Sequence, residues 1–413
     1  MQKEKLVPEI RFKGFEEEWK ESKIGNFLST PIEEKANVNN ASQLLTLGLN
    51  LSGLKNGATK NKLHFGATNY FLRKEGQFIY GKQNFFNGSM AIITPEFHNK
   101  ASSKDVPSFD VNNIDNWFFY YYLARPSFYE KTEGLSLGTG SKRIHENILF
   151  NITIAHPESL KEQKKIRKLI SNLNSIVSLT LKKINKLRLI KESFLSKMFA
   201  SENQKFPEIR FKGFDDEWVK FKLGDIGIFN SNGVDKVFRE KDNAVHMVNY
   251  MDVYNKVEIT LNNIDRFMIT TANNSELIKN NLIKGDILFT PSSETIDDIG
   301  HTFVVQETIP NLVYSYHLVR FRPNSEEFYE TFANYCLDQK RLCDQYMLRA
   351  QGVQRFVLNR EHFNSLSVIK PSILEQKKIN KFLFSLDSLI RSQELKLEKL
   401  NNIKQALLEK MFC

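Results

Sequence analysis

Two short glycine-bearing loops hold the residues best suited to grip an anion: GTGSKRI at 138–144 and AQGVQRF at 350–356. In each, a glycine stands three positions before an arginine, Gly140 before Arg143 and Gly352 before Arg355. Glycine can end a helix in the left-handed conformation and lets the backbone approach a phosphate or a base edge. The arginine fork then reaches out beside it. The plainer alternative is an ordinary helix C-cap with a solvated arginine. Polar or basic residues in the expected loops form the candidate nucleic-acid contacts: Lys82, Asn84, Lys142 and Arg143 in the first half, and Ser292, Ser293, Gln354, Arg355 and Arg360 in the second.

This chemistry is recognition, and bond-making machinery is not in view. GLSLGTGSK resembles a phosphate loop superficially, but the GxxxxGK[ST] order is not met and the segment follows an expected helix instead of preceding one. There is no [DNS]PP[YF] motif for amino-group methylation, no GxGxxG after a strand and no HExxH. The eight histidines are scattered and read as structural, and Cys336, Cys343 and Cys413 lack zinc-binding spacing. No catalytic residue, cofactor or metal is expected.

The loops must be carried by something rigid, and the patterning supplies it twice. GQFIYGK and SMAIITPEF in the first half read as strands, and NWFFYYYLARPSFYEKT as a buried helix. In the second half GDILFTPSS, HTFVVQE and LVYSYHLVRFRP read as strands, and EFYETFANYCLDQKRLCDQYMLRA as a helix. Each half is therefore an α+β domain. PEIRFKGFEEEW at 8–19 returns as PEIRFKGFDDEW at 207–218, EQKKI at 162–166 returns at 375–379, and KMF at 197–199 returns at 410–412. Shared frames surround dissimilar middles, as expected of two readers built on one plan for different targets. Neutral drift of the middles is the competing explanation.

Between EQKKI and KMF each copy lacks Pro and Gly and repeats apolar residues every seven positions. Ile166, Leu173, Leu187 and Phe194 form one row and Ile170, Val177, Ile184 and Met198 its neighbour. Ile379, Leu386, Leu400 and Leu407, with Leu383, Ile390, Leu397 and Met411, repeat the pattern. Each run predicts a strut of roughly 57 Å at 1.5 Å per residue. Antiparallel pairing would bury both stripes and relate the modules by a pseudo-twofold axis. Thr180 and Gln393 interrupt one row at matching places, so they either fix register as buried polar residues or face solvent. The expected division is a first domain at 1–155, a spacer helix at 156–200, a second domain at 201–370 and a second spacer helix at 371–413.

Lys and Arg number 58 against 48 Asp and Glu, an excess of +10 that suits a polyanionic partner, although an A/T-rich gene also enriches lysine. No apolar run is long enough for a membrane span, and MQKEKLVPEIRF lacks the apolar core of a secretory leader, so a cytoplasmic protein is expected.

The duplicated PEIRFKGF opening, KGDILFTPSSETIDDIG at 284–300, the Gly-Arg loops and the EQKKI-to-KMF helices together resemble the DNA specificity subunit of type I restriction-modification enzymes. The resemblance spans nearly the whole chain and is loosest in the middles, which would set the target. It implies two target recognition domains joined by an antiparallel helical spacer, each binding half of a split site in double-stranded DNA. It also implies two methylation subunits, which hold S-adenosylmethionine, and two restriction subunits, which translocate and cut DNA using ATP. The competing function is a coiled-coil adaptor whose domains bind protein, and it would show no salt-dependent affinity for duplex DNA.

Overall fold

The computed structural model describes residues 5–57, 68–138, 141–201 and 204–413. Gly140 lies outside the described residues. The chain forms two compact units, one of residues 1–182 with 394–413, the other of residues 183–393. The unit boundary cuts both long helices, Leu160–Lys197 and Ile373–Lys410, at mid-length. Each unit therefore holds one domain, the first half of one helix and the second half of the other. No helix among the described residues is long and apolar enough to cross a membrane.

The first unit is built on an antiparallel four-stranded sheet in the order Leu28–Ser29, Ser108–Val111, Phe78–Tyr80, Met90–Ile92. The second repeats that order with Gly227–Asn230, Val319–Pro323, Ile287–Phe289 and Thr302–Val304. In both, a two-stranded antiparallel ribbon ties the frame: Lys20–Lys23 with Thr153–His156, and Val219–Lys222 with Ser367–Lys370. Strands buried on both faces read as continuous apolar runs, as FIY and ILF do here. Next to them a half-buried polar pair changes chemistry without changing place. Gln77 Nε2 donates to Asp110 at 2.9 Å in the first unit. At the equivalent rungs of the second, Arg322 Nε and Nη2 donate to Asp286, both at 2.7 Å.

The units differ beyond this shared sheet. The first adds a three-stranded sheet of Lys35–Ala36, Tyr70–Leu72 and Ala101–Ser103 and a hairpin of Leu45–Leu47 with Leu54–Asn56. The second adds Met268–Ala272, Asn243–Val248 and Leu312–Tyr314, the last pair parallel.

Three expected elements are broken. The first buried helix stops at Leu123 and restarts at Pro126. Proline lacks an N–H and forces the preceding Arg125 into an extended conformation, φ −78° and ψ 129°. The second is split into Phe332–Cys336 and Lys340–Arg349. Between them Asp338 is taken up by Lys256 and Thr302 instead of by a helical turn. The single strand expected over 312–323 turns at Ser315, whose carbonyl accepts from Leu318 N at 2.9 Å, so its two ends enter different sheets.

The heptad rows behave as their spacing requires. Ile166, Ile170, Ile184, Met198, Ile379, Leu383, Ile390 and Met411 are buried, and the other eight row members are half-buried. Within the first unit Ile166 and Ile170 share a core with Leu408, Met411 and Phe412. Within the second Ile379 and Leu383 share one with Met198 and Phe199, and Phe194 meets Phe382 edge-on at 4.8 Å. Start against end in both units means that the helices run antiparallel.

The repeated motifs close each unit, and they do so crosswise. Ile10 N donates to Lys410 O at 2.9 Å, and Ile209 N donates to Lys197 O at 2.9 Å. Phe412 packs edge-on against Trp19 at 6.2 Å, and Phe199 against Trp218 at 6.0 Å. The opening motif of each copy is thus capped by the KMF tail of the other. Arg11 Nε and Nη2 grip Glu162 at 2.7 and 2.9 Å. Arg210 grips Glu375 in the same way at 2.7 and 2.8 Å, so each PEIRF is also locked to a helix start.

Candidate nucleic-acid interface

In each unit the segment leaving the sheet's buried strand meets the glycine loop. Ile144 N donates to Lys82 O at 2.8 Å in the first unit, and Leu358 N donates to Pro291 O at 2.8 Å in the second. The loops close on equivalent bridges, Leu137 with Arg143 and Gln351 with Val357. This register pairs Gly138, and not Gly140, with Gly352. Gly138 has φ +115°, and an added Cβ would lie 2.6 Å from Ser141 O. Gly352 has φ +131°, and its Cβ would lie 2.0 Å from Arg355 O. Both positions demand glycine, on dihedral and on space. The arginines are consequently not equivalent: Ser141 occupies the place of Arg355 in the first unit.

Backbone contacts bring the expected strand-end and loop segments of each unit side by side, Lys82 beside Ile144 and Ser292–Ser293 beside Phe356–Val357. In the first, Lys82 Nζ pairs with Glu146 at 2.7 Å, Lys142 Nζ with Glu133 at 2.7 Å and Arg143 Nη1 with Asp105 at 3.1 Å. Asn84 precedes the short turn Phe85–Asn87 and accepts from Asn87 Nδ2 at 3.2 Å. The pairs of Lys142 and Arg143 are exposed, so exchanging their carboxylate for a phosphate costs at most about 1 kcal/mol each.

The second patch is organised differently. Ser292–Ser293 pairs antiparallel with Phe356–Val357, and Arg355 donates from Nε and Nη2 to Ser292 Oγ at 3.1 and 2.9 Å. Ser292 O accepts from Tyr250 Oη at 2.9 Å, so the serine is held from both sides. Ser293 is buried and its Oγ accepts from Thr295 N at 3.3 Å. Gln354 is exposed on the loop, and exposed Arg360 opens the helix Arg360–Ser365 behind the Asn359 cap. Arg355 is paired with a neutral hydroxyl, so its charge stays available.

Two residues outside the expected contacts feel the charge of this arginine, Tyr250 and His317. The Tyr250 phenol is pushed up chiefly by burial, with Asp298 raising it further and Arg355 opposing. Asp298 accepts from Tyr254 Oη at 3.2 Å and lies 2.8 Å from His301 Nε2. Burial pushes the His317 imidazole down, and the charges of Lys236 and Arg355 push it further. A long-range electrostatic cluster of this kind leaves no spacing signal. Its local trace is the polar run SETIDD after the strand.

Of the two expected register residues, Thr180 is buried and donates from Oγ1 to Ile176 O of its own helix at 2.8 Å, while Gln393 is half-buried. Among the described residues no group of His, Cys, Asp and Glu could hold a metal.

Comparison with known proteins agrees with this duplicated plan. The family model described as "Type I restriction modification DNA specificity domain" matches residues 16–189 and again 215–402. A Methanocaldococcus jannaschii protein named for the specificity subunit of the MjaX type I restriction enzyme is 25% identical over 53% of this chain and 50% of its own length. The type I restriction enzyme MjaVIII specificity subunit of the same organism is 20% identical over 81% of this chain and 74% of that one. The chain thus spans half of the first relative and about three quarters of the second. A crystal structure of the type I restriction-modification S subunit from M. genitalium matches with TM-score 0.59 at 17% identity, covering 99% of both chains. A chain from a study of complex assembly in the type I R-M system matches with TM-score 0.54 at 14% identity, covering 95% of this chain and 97% of that one. With one specificity domain in each half and both matches seated on the repeated frame, the chain belongs to the type I restriction modification DNA specificity domain family.

Proposed function

We propose that this chain selects the DNA site for a type I restriction-modification complex, each module reading one half of a bipartite, asymmetric sequence. In this scheme it contributes no chemistry. Two methylation subunits holding S-adenosylmethionine and two restriction subunits act, in the cytoplasm, where it directs them. The functional division follows 1–155 and 201–370 as readers, with 156–200 and 371–413 as spacer helices. One observation carries the proposal: the same sheet order and the same glycine loop present different side chains at equivalent places, Ser141 against Arg355, on frames otherwise alike. Two dissimilar readers on one polypeptide specify two dissimilar half-sites, and the spacing between half-sites is a matter of protein geometry. Phosphate contacts from Lys82, Lys142 and Arg143 would hold register while side chains such as Asn84, Gln354 and Arg355 meet base edges, with Arg360 close by. The adaptor alternative has no comparable support, because the specificity-domain match takes in both modules.

The test is an exchange. Residues 219–370 are replaced by the same region of a relative, and methylated bases are mapped across the genome of a strain carrying the cognate methylation subunits. One half-site should change and the other stay. A change in both halves, or methylation that ignores the exchange, would refute the division of labour.

A further inference from the structure

Within this site the geometry points to a more specific assignment: Arg355 is a base reader for guanine in the half-site of the second module, and Ser292 is the residue that positions it. The assignment rests on the proposed DNA-reading function. An arginine side chain has five N–H donors in one plane. Ser292 Oγ takes the Nε hydrogen and one Nη2 hydrogen, which fixes the side-on edge of the guanidinium. Among the described residues nothing takes the end-on edge, one hydrogen each from Nη1 and Nη2, so it stands as a fork on an exposed residue. That fork matches two acceptors side by side, as guanine offers through O6 and N7 in the major groove. Adenine presents N7 beside an N6 donor, which would oppose it.

The support behind the arginine is rigid. Ser292 lies in a strand rung with Val357, and Tyr250 Oη holds its carbonyl. Gly352 brings the chain so near Arg355 O that no side chain fits there. A neutral partner also matters, since a carboxylate would cancel the charge that attracts DNA. The basic residues of the first patch, Lys82, Lys142 and Arg143, do carry carboxylate partners, which suits contacts made to phosphate after exchange.

The experiment uses the full chain assembled with its methylation subunits and selects bound duplexes from a randomised pool. The wild type should yield a second half-site with an invariant guanine. Arg355→Ala removes the fork and its donors, so preference for that guanine over adenine should fall by roughly 5- to 150-fold, with the other half-site intact. Ser292→Ala should relax the same position and no other, and Ser292→Thr, which keeps the hydroxyl, should restore it. A uniform loss of affinity with no position relaxed would place Arg355 on a phosphate and overturn the assignment. So would relaxation at an A·T pair. If the wild-type complex selects no sequence at all, the DNA-reading function itself fails, which is a separate result.

Discussion

Removing the arginine of a duplicated ion pair gives a sharp test of how the repeated frame is held. Glu375 is only 1% exposed, and Arg210, 14% exposed, meets both its oxygens at 2.7 and 2.8 Å. The hydrogen bonds to Glu375 raise the Arg210 guanidinium above its usual value, more than burial lowers it. Arg210→Ala would leave a buried carboxylate without its partner, at a cost of about 3–5 kcal/mol for a fully buried pair. The arginine keeps some contact with water, so the low end, about 3 kcal/mol, is expected. For a unit of this size that corresponds to a fall in Tm of roughly 6–12 °C. Removing both charges with Arg210→Met and Glu375→Met should recover more than half of the loss, because the unpaired charge causes most of it. Thermal unfolding of the full chain, with a double-mutant cycle, measures each quantity. Arg11→Ala should repeat the result in the other unit, where Arg11 and Glu162 have the same geometry. A loss below about 1 kcal/mol, or a double variant no better than Arg210→Ala, would show that the pair is not what ties each opening motif to its helix.

Two further expectations follow from particular residues. Gly352→Ala forces a Cβ to within 2.0 Å of Arg355 O at φ +131°, so about 1–3 kcal/mol of strain should displace the loop. Methylome sequencing should then show the second half-site degraded and the first unchanged, and an unaffected second half-site would sink the idea. Burial lowers the His156 imidazole, outweighing its bond to the Pro157 carbonyl, while Ser22 Oγ lies 3.0 Å from Nε2. Its folded value lies below the unfolded one, so its contribution is complete above about pH 6.5 and declines as the pH falls and the unfolded chain takes the proton first. Urea titrations at pH 7.5 and 5.5 should show a smaller difference for His156→Gln than for the wild type, and equal differences would argue against it.

Much of this architecture is written in local patterns. Heptad spacing gives both long helices, because burial of a seam leaves a periodic trace, and all sixteen row residues are at least half-buried. The buried strands are equally plain from FIY and ILF. Breaks inside expected elements are harder to see. Pro126 marks one directly, but the turn at Ser315 depends on two sheets competing for one segment. The alignment of the glycine loops is two residues off when the G-x-x-R letters are matched, because backbone bridges, not side-chain identity, fix the register. Pairing of Arg355 with Ser292 joins residues 63 positions apart, and no period connects them. The crosswise caps are invisible for a different reason. KMF occurs twice with the same letters, so nothing in the sequence says whether Trp19 meets Phe199 or Phe412.

Those crossed caps bear on how such a gene can change. Because each KMF tail finishes the unit that contains the other copy's opening motif, a segment of inheritance that runs from one PEIRFKGF to the next is not a folding unit. A half-length product would carry an opening motif with no tail for it, and a tail with no motif to cap. Two such products could satisfy each other. The near-identical stretches that make the closing contacts also bound each dissimilar middle. A crossover there would import a foreign reader, and every closing contact would meet the letters it already fits. New specificities can then arise by shuffling, with no stage at which the protein must learn again how to fold.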